Sequence, residues 1–200
     1  MPEIARRTAE IVRSGGLAIF PTDTVYGIGC DPTSGAAVER IFAAKRRPSA
    51  KPLSLHFAAV EEMLGYAPGN ELAARAAAAW LPGPLTLVVA RPARVAAFVT
   101  RGLATLGLRV PDHPVCSAVL AATGPLAATS ANISGSRAYT GTEPVTELPE
   151  ADVVVDDGPT KLGAESTVID VTGPRPRLMR EGAIKIAMLE DLLGPIERIA

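Results

Sequence analysis

The chain has 200 residues, 48% of them apolar but only 4% aromatic, so a sizeable core must be built mainly from Ala, Val, Leu and Ile, as in α/β folds. Twenty basic against twenty-one acidic residues leave a formal charge of −1, which excludes a broadly basic nucleic-acid binder and confines any anion site to a local cluster. Cys30 and Cys116 stand far apart without metal-ligand spacing, no signal core opens the chain, and no apolar run approaches the ~20 residues that span a bilayer; the expectation is a cytoplasmic protein of one domain, 1–200, with buried thiols and neither zinc nor disulfides.

Residues 2–14 place Ile4, Thr8, Ile11 and Val12 on one face and Arg6, Arg7 and Arg13 away from it, so an amphipathic helix opens the chain and Gly15-Gly16 ends it. Residues 17–20 are a short apolar run closed by Pro21, which cannot donate to a ladder; this predicts a buried strand. The turn that follows, Pro21-Thr22-Asp23-Thr24-Val25-Tyr26-Gly27, sets two hydroxyls, a carboxylate and a phenol at a strand end, where α/β proteins usually bind ligands. Ser34 can cap a second helix running to Ala44, with Val38, Ile41, Phe42 and Lys45 at helical spacing. Lys45, Arg46, Arg47 and Lys51 then fall within seven residues beside Pro48 and Pro52, and cations on so stiff a loop suit a polyphosphate better than a single carboxylate.

Residues 53–57 alternate apolar with polar, which puts Ser54 and His56 on one side of a strand. An Ala-rich helix over 70–80 capped by Asn70, the LPGPLT turn and a strand over 85–90 read as scaffold without reactive groups. A strand over 105–110 is interrupted by Arg109 just before Pro111-Asp112-His113-Pro114; Pro114 opens a small-residue helix that ends at Gly124. A strand over 126–128 opens into Thr129-Ser130-Ala131-Asn132-Ile133-Ser134-Gly135, a second polar turn at a strand end. Residues 140–160 hold six acidic and no basic side chains, which predicts a solvated rim or mobile flap interrupted only by a strand over 153–155. A strand over 166–171, a turn over 174–176, the segment 177–180 and a closing helix over 186–193 complete the chain.

Neither a GxxxxGK[ST] loop nor a GxGxxG between strand and helix is present, and there is no GxSxG or HExxH; His56 and His113 are the only histidines. The remaining inventory positions substrates and neutralises charge rather than supplying a nucleophile. Taken singly, Thr22, Ser134 and Thr140 read as turn hydroxyls bonding their own backbone, Lys45-Arg46-Arg47 as a solvated helix end, His56 as a half-buried strand residue, and Arg109 and Arg180 as ion-pair partners. Four polar turns that each follow a strand raise the group above its members.

PTDTVYG, KRRPSAKPLSLH, LPGPLT, LRVPDHP, TSANISG, ESTVID and LMREGAI occur in that order within residues 10–190, and together they resemble the YrdC-like threonylcarbamoyladenylate synthases. The resemblance implies a twisted, mixed, open α/β sheet flanked by helices, with a concave basic cleft. It implies condensation of L-threonine, bicarbonate and ATP to threonylcarbamoyl-AMP and diphosphate, with Mg²⁺ bridging the phosphates, and downstream proteins that carry the group to tRNA. It places Thr24, His56, Arg109, Ser130 and Ser166 at the amino acid, and Lys45, Arg47, Lys51, Thr105, Asn132, Thr140 and Arg180 at the nucleotide. Some members carry a second C-terminal domain, so the resemblance is to the single-domain form; SRAYTGT also stands where the family usually has SxPSPT. Two other readings remain: a non-catalytic double-stranded RNA or tRNA binding module, and a carbamoyl-transfer domain like that of hydrogenase-maturation proteins.

Overall fold

The computed structural model describes residues 2–144 and 148–198. Its elements in chain order are α1 (Pro2–Arg13), β1 (Ala18–Phe20), β2 (Gly27–Cys30), α2 (Gly35–Lys45), β3 (Ser54–His56), α3 (Val60–Leu64), α4 (Glu71–Trp80), β4 (Leu85–Ala90), β5 (Thr105–Arg109), α5 (Pro114–Thr123), β6 (Leu126–Ser130), β7 (Val153–Val154), β8 (Thr167–Asp170), β9 (Arg177–Arg180), α6 (Ile186–Leu193) and β10 (Glu197–Arg198). The strands form one open sheet in the order β10-β9-β8-β4-β5-β3-β6-β2-β1-β7. It is mixed: β3 with β5, β4 with β8, β1 with β7 and β9 with β10 run parallel, and the other neighbours antiparallel.

Strand alternation sorts side chains between the two faces. One face sends Ile19, Ile28, Leu55, Leu87, Leu106, Leu108 and Ile169 into the larger core, where α2, α4 and α6 contribute Ile41, Phe42, Ala76, Ala77 and Leu189. The other face is only half covered. Ala18, Phe20, Leu126 and Ala128 meet Val12 of α1 and Val115, Cys116, Val119 and Leu120 of α5 in a smaller cluster at the β1–β2–β6 side. Over β3, β5, β4 and β8 this face stays open, and the cleft lies there.

The predicted caps form: Ser34 Oγ accepts from Ala37 N at 3.2 Å, and Asn70 Oδ1 from Ala73 N at 2.9 Å. Cys30 and Cys116 are free and buried. Strand β2 was not legible as a strand because Gly27 and Gly29 deprive it of a β-propensity signal. Those glycines admit the Phe20 ring: an added Cβ would stand 3.2 Å from Phe20 Cε2 at position 27 and 3.1 Å from Cε1 at position 29. The short helix α3 and strands β9 and β10 also went unpredicted.

The acidic stretch is a fastened strap where it is described; its residues 145–147 lie outside the described residues. Asp152 accepts from Leu17 N at 2.6 Å and pairs with Arg40 at 2.8 Å. The Tyr26 hydroxyl lies 2.8 Å from both Asp156 Oδ1 and Gly158 O and accepts from Asp157 N at 3.1 Å. Thr160 N donates to Thr140 O and Leu162 N to Asp23 O. Of the two expectations, a solvated rim or a mobile flap, the rim agrees with the structure: Asp152, Asp156 and Asp157 are exposed, while Asp152 and Asp156 also accept from backbone N–H groups.

Candidate active site

The cleft has a volume of about 1020 Å³. Its floor is the open sheet face: Ser54 and His56 from β3, Thr86 and Val88 from β4, Thr105, Gly107 and Arg109 from β5, Val168 from β8. Gly107 keeps this floor low, since a Cβ there would lie 2.4 Å from Ser54 Oγ. The walls come from the strand-end turns, with Thr22 and Gly27 on one, residues 129–138 on another, and Arg47, Lys51 and Pro52 from the loop after α2. Among the described residues six Lys and Arg side chains line it, Lys45, Arg47, Lys51, Arg109, Arg137 and Arg180, against one carboxylate, Glu165.

The structure brings ten of the twelve sequence-selected residues to this one surface: Lys45, Arg47, Lys51, His56, Thr105, Arg109, Ser130, Asn132, Ser166 and Arg180. Thr24 and Thr140 do not line it. Thr24 is fully buried with its hydroxyl 2.9 Å from that of Thr22, and Thr22 is the one that borders the cleft. Thr140 donates its hydroxyl to Glu143 at 3.0 Å, within the strap. Thr22, Ser54, Thr86, Arg137 and Glu165 border the cleft without having been selected. Ser54 carried a signal, two residues before His56 on the same strand face; Thr86 and Glu165 did not, because the scaffold reading of LPGPLT and the focus on Ser166 passed over them.

Arg109 is 4% exposed and its partner Asp23 1%; Nη2 donates to Asp23 Oδ1 at 2.6 Å and Nε to Gly83 O at 3.3 Å, leaving Nη1 for a ligand. Burial pulls the Arg109 pKa down, against the neighbouring Asp23 charge that pushes it up. His56, beside Arg109 in the β3–β5 register, is buried, and its Nδ1 has no hydrogen-bond partner among the described residues. Burial, then the Arg109 charge, lower its pKa to about 3, so the imidazole is neutral at physiological pH.

Lys45 is not a solvated helix end. It is 1% exposed, and its ammonium donates to the carbonyls of Ser130 and Asn132 and, at 3.3 Å, to Asn132 Oδ1. Burial, followed by the Arg47 charge, lowers its pKa to about 7, whereas its three oxygen acceptors favour the protonated form. Ser130 Oγ donates to Asn132 Oδ1 at 2.6 Å, and Asn132 Nδ2 to Ile133 O and Ser136 O, so Lys45 and Asn132 together shape the turn after β6. Arg46 turns the chain out of α2 with φ of 48°, and Arg47 then braces the loop by donating to Lys51 O at 3.1 Å and Pro52 O at 2.9 Å. Lys51 is exposed at the cleft mouth. Opposite, Arg180 donates to Ser166 O, Ser166 Oγ and Glu165 Oε2. The arrangement can seat a polyanion on the cation loop and a small zwitterion near Arg109 and His56.

Comparison with known proteins gives a consistent picture. The family model for Sua5, YciO and YrdC proteins, described as "Telomere recombination", matches residues 10–182. The chain is 39% identical over 202 residues to the threonylcarbamoyl-AMP synthase of Bacillus subtilis (strain 168), covering 98% of this chain and 58% of that protein. The crystal structure of P. abyssi Sua5 complexed with L-threonine superposes with a TM-score of 0.91 at 36% identity, covering 100% of this chain and 60% of that one. E. coli YciO superposes with a TM-score of 0.80 at 28% identity, covering 93% and 92%. The chain thus spans less than three fifths of the length of the Bacillus relative.

Proposed function

This chain belongs to the Sua5/YciO/YrdC family, and on that premise we propose that its cleft condenses L-threonine, bicarbonate and ATP into threonylcarbamoyl-AMP and diphosphate, for threonylcarbamoyl modification of tRNA. The observation that supports this most is the meeting, in one cleft, of a cation loop around Arg47 and Lys51 with a buried arginine–histidine pair, Arg109 and His56. Residues 1–200 would act as one YrdC-like unit in the cytoplasm, supplying downstream transfer proteins. Among the described residues no helix is long and apolar enough to cross a membrane.

Arg109 would hold the threonine carboxylate through Nη1, its plane fixed by Asp23 and Gly83. Neutral His56 can accept from the substrate without repelling its ammonium group. The threonine amine, once it has lost its ammonium proton to solvent, adds to bicarbonate, whose C–OH bond breaks as water leaves, giving N-carboxy-threonine; its carboxylate oxygen attacks the α-phosphorus of ATP, and the bond to the β,γ-diphosphate breaks as that group leaves. Arg47, Lys51 and Arg180 would neutralise the phosphates, and the cleft walls would keep water from the carbamate. No enzyme nucleophile is needed. Glu165 is the carboxylate at the cleft, and among the described residues no group of three or more His, Cys, Asp or Glu could hold a metal ion. That donor set fits a Mg²⁺ that arrives on the polyphosphate, with Glu165 as its protein ligand, rather than a preformed protein cage. Bound there, it would offset phosphate charge.

A non-catalytic RNA-binding module is less well supported, because the cations face into a cleft instead of spreading over an open surface. The test is pyrophosphate release from ATP: it should require both threonine and bicarbonate. Release that ignores either substrate, or none at all, would reject the proposal.

A further inference from the structure

We infer that Thr86 and Ser166 act as one hydrogen-bond donor that reads an acceptor oxygen of the amino-acid substrate, Thr86 being a specificity-determining residue; this rests on the function proposed above. Thr86 lies on the cleft face of β4 and Ser166 just before β8, 6% and 5% exposed, with their hydroxyls 2.9 Å apart. Ser166 Oγ also receives a hydrogen bond from Arg180 Nη2 at 3.2 Å. Arginine donates and never accepts, so the direction of this short chain is fixed at one end.

The two hydroxyls hold two hydrogens between them. One is used in the bond that joins them, whichever oxygen is the donor. Arg180 has already taken an acceptor position on Ser166, so the second hydrogen has no role within the triad and is left for the cleft. The pair therefore presents one donor hydrogen at the cleft lining. The β4–β5 register pairs Leu87 with Leu108, which sets Thr86 beside Arg109 on the cleft face, and β3 sets His56 on the far side of Arg109. The donor thus stands next to the residues proposed to hold the amino acid.

Packing alone gives no reason for the hydroxyl. The strand reads LTLVVA, its next cleft-facing residue is Val88, and a valine at position 86 would keep the same branched shape without a polar atom to satisfy.

The test uses Thr86→Val, Thr86→Ser, Ser166→Ala and the Thr86→Val/Ser166→Ala double variant, with calorimetric affinities for L-threonine, L-valine and ATP, thermal midpoints and pyrophosphate release. Thr86→Val and Ser166→Ala should each weaken threonine binding about tenfold, as loss of one buried hydrogen bond does. The double variant should be no weaker than the poorer single one, because the pair acts as a unit. Thr86→Ser should recover most of the affinity, while ATP affinity and midpoint stay near those of the unsubstituted protein. If Thr86→Val erases discrimination between threonine and valine, the oxygen read is the side-chain hydroxyl; if both amino acids weaken equally, it is the carboxylate. Unchanged threonine affinity in Thr86→Val, additive losses in the double variant, or a joint fall in ATP affinity and midpoint that Thr86→Ser does not repair would each overturn the inference. An unsubstituted protein that neither binds threonine nor releases pyrophosphate on its addition would instead overturn the function itself.

Discussion

Arg109 combines two readings that its sequence position left as alternatives. It is a buried ion-pair partner of Asp23 and it borders the cleft. Arg109→Ala leaves a buried carboxylate uncompensated, which typically costs about 3–5 kcal/mol, so that variant should lose both thermal stability and threonine affinity. Arg109→Lys should keep much of the stability yet fall further in adenylation rate, since an ammonium lacks the planar fork; melting curves beside pyrophosphate release distinguish the two. Lys51 offers a cleaner case. It is exposed at the cleft mouth, so Lys51→Ala should leave the melting midpoint alone and weaken ATP binding by roughly 1.5–3 kcal/mol, read by calorimetry. His56 makes a prediction about pH. Its pKa is about 3 in the fold against 6.5 for a free imidazole, so between those values the unfolded chain binds a proton that the native state does not. Its contribution is constant above pH 6.5 and lowers stability progressively as pH falls toward 3. A His56→Gln variant should therefore show a smaller drop in midpoint between pH 7 and pH 4.5 than the unsubstituted protein.

At the scale of elements, the strap shows what a single phenol can hold. Tyr26 meets Asp156, Asp157 and Gly158, and its ring stands edge-on to Tyr139 with centroids 5.0 Å apart. Tyr26→Phe should cost about 1–3 kcal/mol, and amide exchange should quicken at residues 156–162 well before it does in β5. The composition of this stretch was legible, but the use of its charges was not: a run of carboxylates looks the same in a sequence whether it is solvated or seated on backbone N–H groups. The same limit explains Lys45. Its helical spacing with Val38, Ile41 and Phe42 already put it on the buried face, yet the three carbonyl and amide oxygens that receive it come from a turn 85 residues away. Most strands, the caps at Ser34 and Asn70, and the convergence of polar turns could be read because each depends on local pattern. Strand β2 could not, since its glycines answer to the Phe20 ring, and Thr22 could not be told from Thr24 because a turn has no period to assign sides.

For the molecule as a whole, the uneven layering governs everything else. The larger core backs the sheet from β8 to β1, while α1 and α5 cover only the β1–β2–β6 side of the opposite face. The uncovered part is not wholly polar: Val88, Leu103, Val168 and Met179 border the cleft among the hydroxyls and cations. A nucleotide and an amino acid lying there would stand in for the layer that no helix supplies, removing apolar as well as charged surface from water. The binding enthalpy should then become more negative as temperature rises, a negative heat-capacity change that pure charge pairing would not give, and calorimetry across a span of temperatures would detect it.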